Sequence, residues 1–399
     1  MSKKSRENLL NIGVIGMGNA GGMMANLASK HGFDAMAINA SEKDLNLLDG
    51  EITKIPVGDG RGTGKSRDEA KEFFFNRINL VQDPTVVDFI GNHDAIVVAS
   101  SIGGGFGSGS SLILVDVLTK MTGGEKLVIP AGVIPFDDEG YTAQNHAIEW
   151  LKELDAMEAS YLLYDNNIFG NIPKQKAHER VNEQFVYDLM VMRGDTLYDT
   201  TSGGIDNRDM MTALSIPGRI VTDWIPEIEE AEVVNGSLVA TIAKHLKEKS
   251  AHAELSDDKV IKASALIYSL DEDFDNYKPS LKKDMQEVFG AHLNDYDNLA
   301  DITGDEDEIP TNSISIILTG LSAPNLRINR LVSRRDKLEA DILGVKKSSN
   351  KLSSAKTGNS ALQLKSKSFA DGGSKSISAA DFLKGYVAAK TGGKTESDK

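Results

Sequence analysis

The segment Ser100-Ser101-Ile102-Gly103-Gly104-Gly105-Phe106-Gly107-Ser108-Gly109-Ser110 places five glycines in seven positions between two apolar runs, Ala95–Ala99 and Leu112–Leu118. With so few Cβ atoms the backbone can close on a ligand. Its N–H groups and the positive end of a following helix then converge on an anion, most simply a phosphate chain. A flexible linker is the plain alternative, but linkers are seldom pinned between a buried strand and a helix opened by hydroxyl residues. Gly16-Met17-Gly18-Asn19-Ala20-Gly21-Gly22 repeats the arrangement after the strand Asn11–Ile15 and before the helical pattern Met23–Ala28.

Two further glycine motifs limit the chemistry. Gly16-x-Gly18-x-x-Gly21 after a strand suggests a dinucleotide fold, which wants a carboxylate about 20 residues later to hold the ribose. The second strand, Ala35–Ile38, ends instead in Asn39-Ala40-Ser41. A nicotinamide dehydrogenase would also leave the second glycine loop unexplained. Gly58-Asp59-Gly60-Arg61-Gly62-Thr63-Gly64-Lys65-Ser66 invites a P-loop reading, but that spacing puts the first glycine where Asp59 stands. The segment reads as a loop opening the helix Arg67–Asn76, either folding over a phosphate or lying plainly on the surface.

The elements that must position these loops alternate. A strand at Lys126–Pro130 leads to the turn-rich Ile134–Gly140. A helix over Ala143–Leu154 precedes the strand Ser160–Tyr164, which stops at Asp165-Asn166-Asn167. Strands alternating with helices predict an α/β fold with a parallel, Rossmann-like sheet and ligands at the strands' carboxyl ends. A helical pattern from Lys176 to Met192 would span roughly 25 Å, enough to carry the chain from one face of a domain to the other. It breaks at Arg193-Gly194-Asp195. From Val221 to about Leu343 a second, smaller α/β domain is expected, with strands at Gly236–Ile242, Val260–Tyr268 and Ser313–Leu318 and a helix through Pro279–Val288. Asp301–Glu308 reads as an acidic, solvated loop.

The 399 residues are 40% apolar and 26% charged, with no cysteine. Disulfides and thiol chemistry are excluded. No apolar run reaches 18 residues, and the start lacks a secretory signal, so the reading is cytoplasmic. The net charge is −15. From Gly344 onward eleven lysines face four acids, a balance of +7 that leaves −22 on the rest. Such a body disfavours broad nucleic-acid binding, while the Ser-, Lys- and Gly-rich tail beyond Lys346 reads as disordered and free for an acidic or polyanionic partner. Phe382, Leu383, Tyr386 and Val387 give residues 377–389 the spacing of a binding helix.

Strand, glycine loop and helix twice over, then a long helix and an acidic loop, resemble the tubulin/FtsZ superfamily of filament-forming GTPases. Gly103–Gly109 is similar to the signature GGGTG[ST]G with one substitution. Gly16–Gly22 resembles the first nucleotide loop, Ala37–Ser41 the second, and Pro135-Phe136-Asp137-Asp138-Glu139-Gly140 the ribose loop PFxFEG. The likeness covers residues 10 to 325. It implies GTP or GDP held by Gly16, Gly18, Asn19, Ala20, Gly21, Asn39, Ala40, Gly103, Gly104, Gly105, Phe106, Gly107, Ser108, Glu139 and Asn166, with a magnesium ion among the phosphates. Asn182 is the implied guanine reader, and His178 stands where an aromatic usually lies under the base. The resemblance implies domains at 1–175 (GTP-binding), 176–200 (central helix), 201–343 (activation) and 344–399 (disordered tail).

The same resemblance implies catalysis across a subunit contact. Asp206 follows Asn182 by 24 residues, near the family's spacing, and Gly204-Ile205-Asp206-Asn207-Arg208-Asp209 keeps both acids of the pattern N-x-D-x-x-D. Asp206 and Asp209 of the next subunit would polarise a water for in-line attack on the γ-phosphate, and a head-to-tail contact that does not close makes a filament. Four departures stand out. Phe106 replaces a threonine, Gly140-Tyr141-Thr142 lacks the arginines that follow the FtsZ ribose loop, His178 replaces an aromatic, and Gly204 replaces an asparagine. They favour a divergent plasmid- or phage-type relative, of the TubZ and PhuZ groups, that moves or centres DNA with its tail on a DNA-bound adaptor. The alternatives are an FtsZ-type division protein and a structural homologue without turnover.

Overall fold

A computed structural model describes residues 10–170, 172–194, 200–202, 207–255, 263–289, 298–302 and 312–352. Two compact units divide at Val332/Ser333. Of the second, the described part is helix, residues 333–352.

The first half alternates as the sequence predicts. In order come β1 (Ile12–Met17), α1 (Gly18–Lys30), β2 (Asp34–Asn39), α2 (Glu42–Asn46), β3 (Thr53–Pro56), α3 (Arg67–Asn76) and α4 (Pro84–Asn92). Then follow β4 (Ala95–Ser101), α5 (Phe106–Met121), β5 (Leu127–Ile134), α6 (Tyr141–Asp155), β6 (Ser160–Asp165) and α7 (Lys174–Arg193). The second half adds β7 (Thr200–Ser202), α8 (Asn207–Leu214), β8 (Gly218–Ile225), α9 (Leu238–Glu248), β9 (Ala263–Ser269), α10 (Leu281–Phe289), β10 (Asn298–Ile302), β11 (Ser313–Leu321) and α11 (Asn325–Leu352).

Eleven strands among the described residues form one sheet in the order β3-β2-β1-β4-β5-β6-β8-β11-β9-β10-β7. From β3 to β8 every pairing is parallel; β11 is antiparallel to both β8 and β9. Alternating residues explain the layers. Val97, Ala99, Ile129, Ala131, Leu162 and Tyr164 pack with Met24 and Ala25 of α1 and Phe185 and Leu189 of α7. Ile102, Ile134 and Leu163 pack with Leu112 of α5 and Ile148 and Trp150 of α6. Period-two strands thus bury both faces, as a doubly wound sheet requires. The strands of the second half continue the sheet through β6–β8 and build their own core with α9 and α10, around Val221, Leu266, Ile316, Ile242 and Phe274.

One expectation fails here. Gly236–Ile242 is the start of helix α9, not a strand. Ser237 accepts from the Ala240 amide at 3.2 Å as a helix cap, and the buried Leu238, Val239, Ile242 and Leu246 follow the helical period. Helix α11 runs to Leu352, past Lys346 where composition reads as disordered. The acidic segment beyond Ile302 and the tail from 353, with its 377–389 patch, lie outside the described residues.

α7 spans 20 residues, about 30 Å. It starts after the carboxyl end of β6 and finishes against the amino ends of the first strands: the Leu10 amide donates to Arg193 O at 3.2 Å, and the Arg193 guanidinium lies 3.9 Å above the Phe33 ring. Gly194 ends it in the left-handed conformation, φ 88°.

Candidate functional site

The two glycine loops meet at the carboxyl edge of the parallel strands. Gly18 takes φ +73° where β1 turns into α1, and a Cβ there would lie 3.0 Å from the Gly107 amide nitrogen. A Cβ on Gly107 would lie 2.6 Å from Met17 O, and one on Gly103 2.9 Å from the Pro135 ring. Glycine is therefore required by backbone approaching backbone. Gly104 differs: it is half-buried, and a Cβ there meets nothing within 4 Å. It faces the open side of the loop. Gly16 and Gly21 are buried against each other and against Ala99, whereas Asn19 is exposed and Ala20 half-buried.

Around this centre the ribose-type loop closes on itself. Glu139 accepts from the Phe136 amide at 3.0 Å, and Gln144 donates to Phe136 O at 2.7 Å. The His178 ring stacks obliquely on Phe136, centroids 5.3 Å apart. Although much of His178 is exposed, desolvation beside the loop lowers its pKa, with Glu139 acting the other way. Asn182, one helical turn along α7 on the same face, is half-buried. Asn166 is buried, its Oδ1 without a hydrogen-bond partner. Asn39 and Ala40 end β2, both buried; Asn39 Oδ1 accepts from the Ser41 amide at 3.3 Å.

Two of these residues have side chains turned into the protein. The Ser108 hydroxyl donates back to Gly104 O and, at 3.3 Å, to Gly105 O. Only its backbone is left to face a ligand. Phe106 opens α5 and is buried, so the ring that replaces the signature threonine has turned inward.

Asp209 belongs to α8. It is exposed in the first turn of α8, the helix that leads into β8, and β8 begins where β6 begins: Gly218 pairs with Ser160 and its amide donates to Ala159 O at 3.2 Å. The glycine loops follow the carboxyl ends of β1 and β4 in the same sheet. Asp206 lies outside the described residues.

Several supporting side chains escape sequence reasoning. His146 is buried and donates from Nδ1 to Gly104 O at 2.9 Å; burial lowers its pKa, which the bond to Gly104 opposes. Arg67, 5% exposed, donates to Ser108 O at 2.9 Å and pairs with Glu149 and Glu153 at 2.8 and 2.6 Å. Arg327, fully buried, donates to Asp165 at 2.6 Å and to Pro135 O at 3.2 Å, so the start of α11 braces the ribose-type loop. Asp188 on α7 accepts from Tyr164 of β6, Thr222 of β8 and Gln184 at 2.6, 2.8 and 2.9 Å. One buried carboxylate thus joins the long helix to both halves. The polar stripe His146, Glu149 and Glu153, at i, i+3 and i+7, was the available signal.

A parallel sheet with two interlocked glycine loops at its carboxyl edge, and a long helix crossing to the other edge, defines a tubulin-like α/β protein. No family model matches the chain. The tubulin-like protein CetZ of Pyrococcus abyssi is 27% identical over 183 residues, 43% of this chain and 50% of that protein. The cell division protein FtsZ 2 of Haloferax volcanii is 26% identical over 239 residues, 56% and 57% of the two chains. The chain thus spans about half the length of the curated relatives it matches. A GTPγS-form protofilament of Bacillus thuringiensis serovar israelensis TubZ superposes with a TM-score of 0.66 at 17% identity, over 86% of this chain and 96% of that one. The fold is tubulin-like, and the sequence is similar to proteins of the tubulin/FtsZ superfamily.

Proposed function

We propose that this chain binds GTP across the two glycine loops and hydrolyses it only when subunits stack head to tail. What supports the reading is that α8, with Asp209 in its first turn, leads into the amino end of β8, while the glycine loops follow the carboxyl ends of β1 and β4. In this reading a stacked neighbour, and not the subunit itself, brings Asp209 to the loops. Backbone amides of Gly16–Gly21 and Gly103–Ser108 hold the phosphates, Glu139 and Asn166 flank the sugar, and His178 and Asn182 on α7 take the base. Asp206 and Asp209 of the next subunit then orient a water for in-line attack, a task of positioning and electrostatics. The TubZ neighbour is a GTPγS-form protofilament, which agrees with both nucleotide and assembly.

Among the described residues no group of three or more His, Cys, Asp or Glu converges. A magnesium ion would therefore be held mainly by phosphate oxygens and water, as that ion usually is, and would supply charge neutralisation of the phosphates.

In this reading 1–175 binds nucleotide, 176–200 spans the body, 201–343 activates the neighbour, and 344–399 reaches a DNA-bound adaptor. The filament would position or segregate phage or plasmid DNA in the cytoplasm. No helix among the described residues is long and apolar enough to cross a membrane. The test is the double variant Asp206→Ala/Asp209→Ala. It should bind GTP as the parent does and still form filaments, while phosphate release falls about a hundredfold or more. Unchanged release would end the composite-site reading; filaments in the parent without any release would favour a structural homologue.

A further inference from the structure

The peptide that joins Gly104 to Gly105 has no side chain on either flank. Its orientation is set by ψ of one glycine and φ of the next, and no Cβ opposes a flip at either. A flip would present a negative C=O where an anion needs a positive N–H. Two donors hold the Gly104 carbonyl against it. His146 of α6 donates from Nδ1 at 2.9 Å, and the Ser108 hydroxyl donates to the same oxygen. In a trans peptide the following N–H points the opposite way. The Gly105 N–H is therefore turned away from His146, and it donates to no acceptor among the described residues. A Cβ on Gly104 would meet nothing within 4 Å, so this peptide borders the open side of the loop.

The helix that carries His146 is itself fixed to the loop. A Cβ on Gly103 would stand 3.3 Å from Ala143 O, three residues before His146. On the far side of His146 the Trp150 indole donates to Ser111 Oγ of α5 at 3.0 Å. Glu149 and Glu153 pair with Arg67, which also donates to Ser108 O. The imidazole thus has its backbone pinned before and behind it. A carbonyl oxygen can only accept, so the ring carries its proton on Nδ1.

We propose that His146 is a positioning residue for nucleotide binding: by holding Gly104 O inward it turns the Gly105 N–H toward the phosphate chain of a nucleotide bound at Gly103–Ser108. This rests on the GTP-binding reading above. His146 acts through one peptide and touches no ligand itself. A donor set in place beforehand spares the complex the cost of ordering that peptide.

The experiment titrates the full chain and its variants with fluorescent GTPγS and, by competition, with guanosine, which has no phosphate. His146→Phe keeps a ring and removes the donor; it should weaken GTPγS about five- to tenfold, the range of one neutral hydrogen bond. His146→Asn, which keeps an N–H donor at similar reach, should restore most of that loss. Guanosine affinity should be the same in parent and variants. Ser108→Ala removes the other bond to the same oxygen and suits a helix, so it carries the test if the Phe variant does not fold; it should also weaken GTPγS severalfold and leave guanosine unchanged. Parent-like GTPγS affinity in His146→Phe and Ser108→Ala, in a parent that binds GTPγS, would overturn this assignment and leave the GTP reading standing. A parent that binds no guanine nucleotide would overturn both. Equal loss of GTPγS and guanosine, or no rescue by His146→Asn, would make His146 a structural residue and overturn its positioning role.

Discussion

Two loops of this chain are nearly equal in glycine content and opposite in what they do with it. In Gly103–Gly109 no glycine takes positive φ, and Gly103, Gly105, Gly107 and Gly109 are buried against backbone or rigid side chains at 2.5–2.9 Å from where a Cβ would stand. In Gly58–Gly64 all four glycines take positive φ, between +53° and +85°, and Gly62 and Gly64 have room for a Cβ. The first loop uses glycine for thinness and the second for conformation. Substitution separates the two uses.

The largest effect is expected at Gly107→Ala, whose methyl meets Met17 O, a backbone atom at 2.6 Å that cannot turn aside. Overpacking of this kind costs about 3 kcal/mol, read as a fall in the urea midpoint, together with loss of nucleotide binding. Gly62→Ala comes next. Its methyl finds only Ser41 Cβ at 3.7 Å, so the cost is the strain of φ +85° alone, about 1–2 kcal/mol. A cost equal to that of Gly107→Ala would erase the distinction between the loops. Gly104→Ala has the smallest effect on stability, below about 0.5 kcal/mol, since its φ is ordinary and its surroundings open. Nucleotide affinity should nevertheless fall, because the open side is where a ligand approaches. A stable variant with undiminished affinity would place the ligand elsewhere.

The same comparison explains what could be read from the chain. Where strand, tight turn and helix follow one another within a few residues, local pattern and global fold agree. Helix α3 matches its expected bounds of Arg67–Asn76, and the strand expected at Ala95–Ala99 runs from Ala95 to Ser101. The second half was less legible. Gly236–Ile242 is a short apolar run that suits strand or helix alike, and Ser237 as a cap decides for the helix. Helix α11 is polar over most of its length and carries no apolar stripe to announce it. Of the site, the glycines, Asn39, Glu139 and Asn182 were visible through motif and spacing. Arg67, His146 and Arg327 were not, since each acts through a partner 41 to 192 residues away. The residues that brace a site are distributed by the fold, and no short pattern contains them.

Asp188 shows the same point from the other side. Its buried carboxylate binds β6 and β8, strands of the two halves, and the helix between them.

Phosphate release from GTP, measured across a concentration series of the full chain, tests the composite-site reading most directly. Activity per subunit should be near zero in dilute solution and climb steeply once filaments form. A constant rate per subunit from the most dilute sample upward would mean that one chain holds every catalytic group, and would contradict the account.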